Sequence, residues 1–246
     1  MTNIFGHRGA AGTYPENTMV SFEAAYKAGA DGIELDVQMT KDGTLVVIHD
    51  EKVNRTTNGT GFVKDFTYNE LQHLDASYKF KKLWKKIRIP TLEEVLAWGE
   101  NKKGFLINIE LKNGIIDYPE IEKSTIKAIE QHGLKENVII SSFNHNSLVK
   151  CKNIAPEIVT AALYMEGLYK PWNYAKEIRA EGIHPQFRAT PKEVIDSAQA
   201  EGIAVRPFTV NKEDLMGKLI SWNCSGFFTD YPEKAVEIRK KKMNRD

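Results

Sequence analysis

Residues 33–37 read Ile-Glu-Leu-Asp-Val, and this short stretch places two acids inside an otherwise apolar run. In a β-strand, residues i and i+2 point to the same face, so Glu34 and Asp36 would share one face while the hydrophobic residues share the other. Charged groups almost never enter a buried face without a partner. The stretch therefore predicts a strand whose polar face carries a metal site or a paired acid/base site.

Short apolar segments alternate with helical patterns along the whole chain. The segments that predict strands begin near residues 4, 32, 105, 138, 158, 183, 203 and 226. This alternation indicates a parallel sheet, and eight such units in 246 residues are typical of an α/β protein with a closed (β/α)8 TIM barrel. A doubly wound open sheet is the structural alternative. We expect a single catalytic domain over residues 1–246.

A ninth strand-like segment, residues 45–49, follows the turn signal Asp42-Gly43. Asp-Gly between two such segments is typical of a β-hairpin, which would bring His49 back beside the two acids of the second strand. Residues 51–89 then contain turn residues, a short helical pattern and a basic-aromatic run. A stretch of this length is seldom a plain loop, so we predict a small insertion or lid after the hairpin strand.

Several polar residues occur where predicted strands end, which is where barrels of this kind carry their active groups. His7 and Arg8 end the first strand, and His49 ends the hairpin strand. Glu110 and Lys112 repeat the i, i+2 spacing on a later strand and would face the barrel interior. These side chains would therefore meet the two acids of the second strand.

Three carboxylates, those of Glu34, Asp36 and Glu110, would converge on one rim of the barrel. Without a cation they would repel one another, and their pKa values would rise. All-oxygen ligation favours hard cations over zinc. We therefore predict one divalent cation, Mg2+ or Ca2+, with Mn2+ as an alternative.

The cationic and titratable residues of the same rim suit phosphate ester chemistry. Arginine matches a pair of phosphate oxygens, so Arg8 is a candidate phosphate contact together with Lys112. Histidine titrates near neutral pH, so one of His7 and His49 could accept a proton from the attacking group while the other donates one to the leaving alkoxide. Which histidine has which role stays open, and a hydrogen-bonded structural role is the alternative for both.

Four further residues have two interpretations each. Glu16 is either an acid at a helix N-terminus or a support for Arg8. Phe143 and Phe208 lie near predicted strand ends and are either core residues or walls of a substrate site. His184 also ends a predicted strand, and packing in the core or at the rim is its simpler interpretation.

Composition and charge argue against several classes of protein. A net charge of +1 gives no overall attraction to nucleic acid, and no apolar run approaches the roughly 20 residues that span a bilayer. Residues 1–6 lack the features of a signal peptide. Cys151 and Cys224 form no CxxC pair, which is typical of reduced thiols. We expect a cytoplasmic protein with a small-molecule substrate and neither a nucleic-acid partner nor a transmembrane segment.

The order and spacing of several motifs resemble the glycerophosphodiester phosphodiesterase family. The motifs in the first part of the chain are His7-Arg8-Gly9, Pro15-Glu16-Asn17-Thr18, residues 32–37 and Val46-Val47-Ile48-His49-Asp50. Those in the later part are Ile109-Glu110-Leu111-Lys112, Thr209-Val210-Asn211 and Thr229-Asp230-Tyr231-Pro232. The likeness covers nearly the whole chain.

The resemblance implies a (β/α)8 barrel with a small insertion after the His49 motif. It also implies metal-dependent hydrolysis of glycerophosphodiesters, such as deacylated phospholipids, to sn-glycerol 3-phosphate and an alcohol, within lipid and glycerol metabolism. The family's metal ligands fall on Glu34, Asp36 and Glu110, and its catalytic histidines fall on His7 and His49.

The family's phosphate contact falls on Arg8, and an active-site lysine falls on Lys112. One departure is Phe208, because the family often has tryptophan directly before Thr-Val-Asn, and this affects the wall on the glycerol side. Two alternatives stay open. The basic-aromatic run 78–88 suggests a substrate that keeps an acyl chain, as for a lysophospholipase D. Its basic part, residues 79–88, is either a solvated face or a contact with an anionic membrane. The other alternative is a non-catalytic phosphate- or phospholipid-binding module.

Overall fold

Nine strands form one sheet in the computed structural model, which describes residues 1–77, 80 and 86–243. The strands are β1 (Asn3–Gly6), β2 (Gly32–Met39), β3 (Leu45–Val47), β4 (Leu106–Leu111), β5 (Val138–Ser142), β6 (Val159–Tyr164), β7 (Gly182–Pro185), β8 (Ala204–Val205) and β9 (Gly226–Thr229). Eight of them are parallel and lie in the order β8-β7-β6-β5-β4-β2-β1-β9. The N–H of Phe228 in β9 donates to the carbonyl of Pro207 after β8, at 3.0 Å. The predicted (β/α)8 barrel is therefore confirmed, and it is nearly closed. The alternative prediction of an open doubly wound sheet is wrong.

Helices follow the parallel strands and surround the barrel. Within the described ranges the α-helices are α1 (Met19–Lys27), α2 (Tyr68–Leu71), α3 (Leu92–Gly99), α4 (Ile121–Gln131), α5 (His145–Ile154), α6 (Pro171–Glu177), α7 (Lys192–Ala200), α8 (Glu213–Ser221) and α9 (Pro232–Met243). Local sequence sets where several of them begin. At α3, for example, the side chains of Thr91 and Glu94 each accept a hydrogen bond from the other's backbone N–H, and this capping box fixes the first turn.

The two faces of the sheet are buried in different ways. Outward residues such as Ile33 and Leu35 pack in the larger core between the sheet and the helices. A smaller cluster that includes Phe5, Ile139 and Phe228 fills the barrel interior. Because alternate residues of a strand point to opposite faces, the acids between the outward residues of β2 project into the barrel.

The short strand β3 returns the chain to the end of β2. It pairs antiparallel with β2, with Val47 opposite Val37. On the same edge of β2, the parallel partner β1 ends earlier, where Gly6 lies opposite Ile33. The predicted hairpin is therefore confirmed, and it leaves His49 at the C-terminal end of the barrel.

The segment that we predict to be an insertion or lid, residues 51–89, contributes a separate small hydrophobic cluster. Val53, Val63 and Leu71 pack there with Val46 of the hairpin strand β3 and with Ile48, which follows it. The basic-aromatic run lies mostly outside the described residues, so its predicted membrane contact and the lid interpretation stay predictions.

Two expectations from composition can be compared with the structure. Cys151 and Cys224 are buried free thiols, as predicted. Among the described residues, no helix is both long enough and apolar enough to cross a bilayer.

Candidate active site

Three carboxylates converge at the C-terminal end of the barrel. Glu34 and Asp36 project inward from β2, and Glu110 projects from the neighbouring strand β4, where it lies opposite Asp36. One oxygen of each side chain lies within 4.8 Å of one oxygen of each of the others, and all three residues are buried. The barrel thus brings the three predicted cation ligands together, although about 75 residues separate Glu34 from Glu110.

Burial and mutual repulsion strongly perturb these acids. Burial raises the pKa of Glu34 well above its ordinary value, and the negative charges of Asp36 and Glu110 raise it further. Burial, with Asp36, also raises the pKa of Glu110 to about 7. For Asp36 the upward effect of burial is outweighed by nearby positive charges, led by that of Arg8, and the pKa is lowered. The cluster therefore resists carrying three negative charges by itself.

Two carboxylate oxygens that accept no hydrogen bond within the described ranges support the fit of a cation to the cluster. Glu34 Oε1 and Asp36 Oδ1 are both buried, and neither accepts a hydrogen bond from any described residue. Leaving buried carboxylate oxygens in this state is costly, whereas a divalent cation would neutralise their repulsion and give them a partner. An all-oxygen donor set suits Mg2+, Ca2+ or Mn2+ better than zinc.

Each of the two candidate catalytic histidines is held by a carboxylate. His7 Nδ1 lies 2.6 Å from Asp230 Oδ1, and His49 Nδ1 lies 2.6 Å from Asp50 Oδ1. Because an ionised carboxylate only accepts hydrogen bonds, the proton sits on Nδ1 in each neutral ring, and Nε2 is left for other partners. His7 Nε2 lies 4.0 Å from Glu34 Oε2, so this nitrogen faces the acid cluster.

The two supporting aspartates have different neighbours. Arg55 donates from Nε and Nη2 to the two oxygens of Asp50, at 2.7 and 3.0 Å. Burial would raise the pKa of Asp50, but the hydrogen bonds from Arg55 and His49 outweigh it and lower the pKa to about 2. Asp230 is bound instead by the neutral amide of Asn211, at 2.5 Å, and its pKa is also lowered despite burial. Both aspartates are therefore ionised at neutral pH.

Arg8 links the acid cluster to this network. Its backbone N–H donates to Glu34 Oε2 at 2.9 Å, and its Nε lies 3.3 Å from Asp36 Oδ2. Its Nη1 donates to Glu16 at 2.9 Å, and Glu16 accepts two more hydrogen bonds from Arg55, both at 2.7 Å. Glu16 precedes α1 and contacts both guanidinium groups, and its role as a support for Arg8 stays a prediction.

The turn after β1 sets the direction of the Arg8 backbone. Arg8 has a φ of +52° and Gly9 a φ of +83°, both in the left-handed region. A Cβ atom on Gly9 would lie 2.4 Å from Ser21 Oγ, so only glycine fits there. The Arg8 carbonyl accepts hydrogen bonds from the Asn17 N–H and from Ser21 Oγ, both at 3.0 Å. These contacts hold the turn so that the Arg8 N–H points at the acid cluster.

Lys112 and two aromatic rings line another side of the cluster. Lys112 Nζ donates to Glu110 Oε1 at 2.8 Å and lies 3.2 Å from His49 Nε2. The ring centroid of Phe143 lies 6.0 Å from the same Nζ. Phe143 packs edge to face against Phe208, with centroids 5.9 Å apart. The two predicted wall residues therefore form one aromatic surface beside the acids.

Residues that contact the site without a role assigned from the sequence include Asp50, Arg55, Asn211 and Asp230. A signal was present for two of them. Asp50 directly follows a candidate catalytic histidine, and Asp230 directly follows β9 at the C-terminal end of the barrel. A carboxylate in either position is a candidate partner for a histidine ring.

Known families and proteins resemble the chain over almost its full length. The sequence profile of the glycerophosphoryl diester phosphodiesterase family matches residues 7–234. A glycerophosphodiester phosphodiesterase of Bacillus altitudinis is 48% identical over 242 residues, which cover 98% of this chain and 99% of that protein. A glycerophosphodiester phosphodiesterase of Caldanaerobacter subterraneus subsp. tengcongensis is 46% identical over 240 residues, covering 98% of each chain.

A solved structure also has the same fold over almost its full length. It is that of an Oleispira antarctica phosphodiesterase in complex with the product sn-glycerol-3-phosphate. The two structures have a TM-score of 0.85 at 30% sequence identity, over 98% of this chain and 97% of that one. The chain therefore belongs to the glycerophosphoryl diester phosphodiesterase family and is a phosphoric diester hydrolase.

Proposed function

We propose that the protein hydrolyses glycerophosphodiesters, such as deacylated phospholipids, to sn-glycerol 3-phosphate and an alcohol, and that it requires one divalent cation. One observation carries the proposal. Three buried carboxylates meet within 4.8 Å of one another, beside two histidines that are both held through Nδ1 by aspartates. The names of the Bacillus and Caldanaerobacter relatives and the product bound to the Oleispira enzyme support the same substrate class.

The cation would be held by Glu34, Asp36 and Glu110. When bound, a divalent cation supplies stabilisation of the negative charge on the phosphoryl oxygens. We propose Mg2+ or Ca2+, with Mn2+ as an alternative, because the donor set consists of carboxylate oxygens. Arg8 and Lys112 would add positive charge at the phosphate, because both side chains contact carboxylates of the acid cluster.

The two histidines would move the protons. His7 and His49 each keep Nδ1 on an aspartate, so Nε2 is the ring nitrogen that would meet a reacting oxygen; at His49 it would do so in place of Lys112 Nζ, which lies 3.2 Å away. One would accept a proton from the attacking oxygen, and the other would donate a proton to the leaving alkoxide. Phe143 and Phe208 would form a wall of the substrate site, and Glu16 would fix the Arg8 side chain.

Release of glycerol 3-phosphate from glycerophosphocholine and from glycerophosphoethanolamine tests the function. We expect EDTA to abolish turnover and Mg2+, Ca2+ or Mn2+ to restore it. Unchanged turnover after complete chelation would refute the cation, and normal turnover by His7→Ala or His49→Ala protein would refute the histidine roles. The attacking group is either water or the neighbouring glycerol hydroxyl, and trapping of a cyclic glycerophosphate would identify the second route.

A substrate that keeps an acyl chain is the second candidate. The loops after β4, β5 and β6 expose large apolar side chains at the C-terminal end of the barrel, including Ile115, Phe143 and Met165, as well as Tyr169, which is 88% exposed. An acyl chain that leaves the site over these loops would cover the exposed apolar side chains. Faster turnover of lysophosphatidylcholine than of glycerophosphocholine would favour this lysophospholipase D-type activity, and the reverse would exclude it as the main one.

Three further expectations stay proposals. A cytoplasmic location and a role in lipid and glycerol metabolism are consistent with the buried free thiols and with the family. One catalytic domain over residues 1–246, with residues 51–89 as its insertion, is consistent with the single barrel. Membership of a hydrolase family argues against a non-catalytic phosphate- or phospholipid-binding module.

A further inference from the structure

A small cavity lies inside the barrel next to the acid cluster. Its volume is about 20 Å3. The polar part of its lining includes Glu34, Asn108 and His184, and the rings of Phe208 and Phe228 form part of its apolar side. A space of roughly 10–15 Å3 is enough for one water molecule, so the cavity has room for one water.

Three side chains of the lining have polar atoms that no described residue satisfies. They are both ring nitrogens of His184, Oδ1 of Asn108 and Oε1 of Glu34. None of the three residues is more than 4% exposed. Buried polar groups in folded proteins are almost always hydrogen-bonded, so three of them around one cavity indicate a polar ligand inside it.

The donors and acceptors match a single water molecule. Burial, together with the positive charge of Arg206, lowers the pKa of His184 well below its ordinary value, so the ring is neutral and has one N–H donor. Asn108 Nδ2 donates to Ser141 Oγ at 2.9 Å, which leaves Asn108 Oδ1 as an acceptor. A water can accept one hydrogen bond from His184 and donate its two hydrogens to Asn108 Oδ1 and Glu34 Oε1.

We propose that His184, Asn108 and Glu34 bind one buried water molecule, and that His184 and Asn108 thereby act as positioning residues for Glu34. The positioning role of His184 and Asn108 rests on the proposed function, in which Glu34 is a cation ligand. The water site itself does not depend on that function. A carboxylate oxygen has two lone-pair sites, so Glu34 Oε1 can meet the water and a cation together.

Cation affinity, measured without substrate, tests the positioning role. Hydrogen bonds to metal ligands typically contribute 10- to 100-fold in metal affinity, so we expect His184→Phe and Asn108→Leu each to weaken Mn2+ binding by about 10-fold in titration calorimetry. His184→Gln keeps a donor and an acceptor and should retain wild-type affinity. The matched control Leu163→Met changes an apolar wall of the same cavity, whereas Phe228 packs against the His184 ring and is unsuitable; the control should also retain wild-type affinity. Unchanged affinity in both polar variants, or an equal loss in the control, would overturn the positioning role.

Two measurements on the metal-free protein test the water site separately. A high-resolution crystal structure of the wild-type protein should contain one ordered water within hydrogen-bonding distance of His184, Asn108 and Glu34, and a cavity without it would overturn the proposal. The water satisfies only the N–H of His184, and the other ring nitrogen stays without a described partner. Replacing His184 by phenylalanine should not raise the melting temperature, because it would also remove the donor that holds the water. A rise would show that the ring donates to no water and would count against the site.

These readouts separate the inference from the proposed function. A wild-type protein that binds no divalent cation would refute the cation requirement and the positioning role, while the crystal structure and the melting temperatures would still decide the water site. If His184→Phe protein does not fold, Asn108→Leu and the wild-type crystal structure carry the test.

Discussion

Replacing Asp230 by asparagine removes the negative charge that holds His7 and keeps the shape of the side chain. Asp230 Oδ1 lies 2.6 Å from His7 Nδ1, so the contact is a charge-assisted hydrogen bond. Hydrogen bonds to charged groups contribute roughly 1.5–3 kcal/mol. Because about 1.36 kcal/mol corresponds to a factor of ten in rate, loss of this contribution from the transition state should lower kcat by about 10- to 150-fold.

Steady-state release of glycerol 3-phosphate from glycerophosphocholine, at a saturating concentration of divalent cation, measures this effect. Asp196→Asn is a matched control, because Asp196 is an exposed aspartate on α7 that pairs only with Lys192 among the described residues. The control should keep the wild-type kcat. A wild-type kcat in folded Asp230→Asn protein would refute the claim that Asp230 positions His7 for catalysis.

Three other predictions concern the cluster, its network and the scaffold. The pKa of Glu110 is about 7 in the folded protein against an ordinary value of 4.5, so its ionisation opposes folding. The melting temperature of the metal-free protein should therefore fall as the pH rises from 4.5 to 7. Glu110→Gln protein should show a smaller fall over the same range. An equal fall in both proteins would contradict the claim that burial raises the pKa of Glu110. Arg55→Lys cannot reproduce the bidentate contacts with Glu16 and should lower kcat/KM by about 10-fold, whereas unchanged kinetics would show that the network is dispensable. Thr91→Ala removes the cap of α3 and should cost about 1 kcal/mol in urea unfolding with activity unchanged; a loss of activity at full stability would contradict a purely structural role.

Features that depend on local sequence could be predicted correctly. The period-two pattern of residues 33–37 predicts which face of β2 is polar, because alternation along a strand needs no information from elsewhere in the chain. Asp42-Gly43 predicts the hairpin for the same reason. The barrel topology alone then predicts that Glu110 lies beside Asp36, because the C-terminal ends of parallel strands share one rim.

Strand length was less predictable where backbone chemistry interrupts an apolar pattern. The residues from 203 to 210 predict one long strand, but β8 covers only Ala204–Val205. Pro207 lacks a backbone N–H and cannot donate to a ladder, so regular pairing stops before it. The hydrogen bond from Phe228 to the Pro207 carbonyl still connects this segment to β9.

The positions of Asp50 and Asp230 carried a signal, but the contacts of the supporting network could not be predicted, because they depend on distant or irregular segments. Asp230 and His7 are 223 residues apart in the sequence. Arg55 lies in an irregular segment with no periodicity, and it reaches Glu16 across 39 residues. His184 occurs at a strand end, and only the barrel geometry shows that its ring is fully enclosed next to the acid cluster.

Anomalous diffraction from crystals soaked in Mn2+ tests the central claim most directly. The claim is that Glu34, Asp36 and Glu110 hold one divalent cation beside the two histidines. We predict a single strong anomalous peak within coordination distance of one oxygen from each of the three carboxylates. The absence of a peak there, or a peak that contacts none of these oxygens, would contradict the claim.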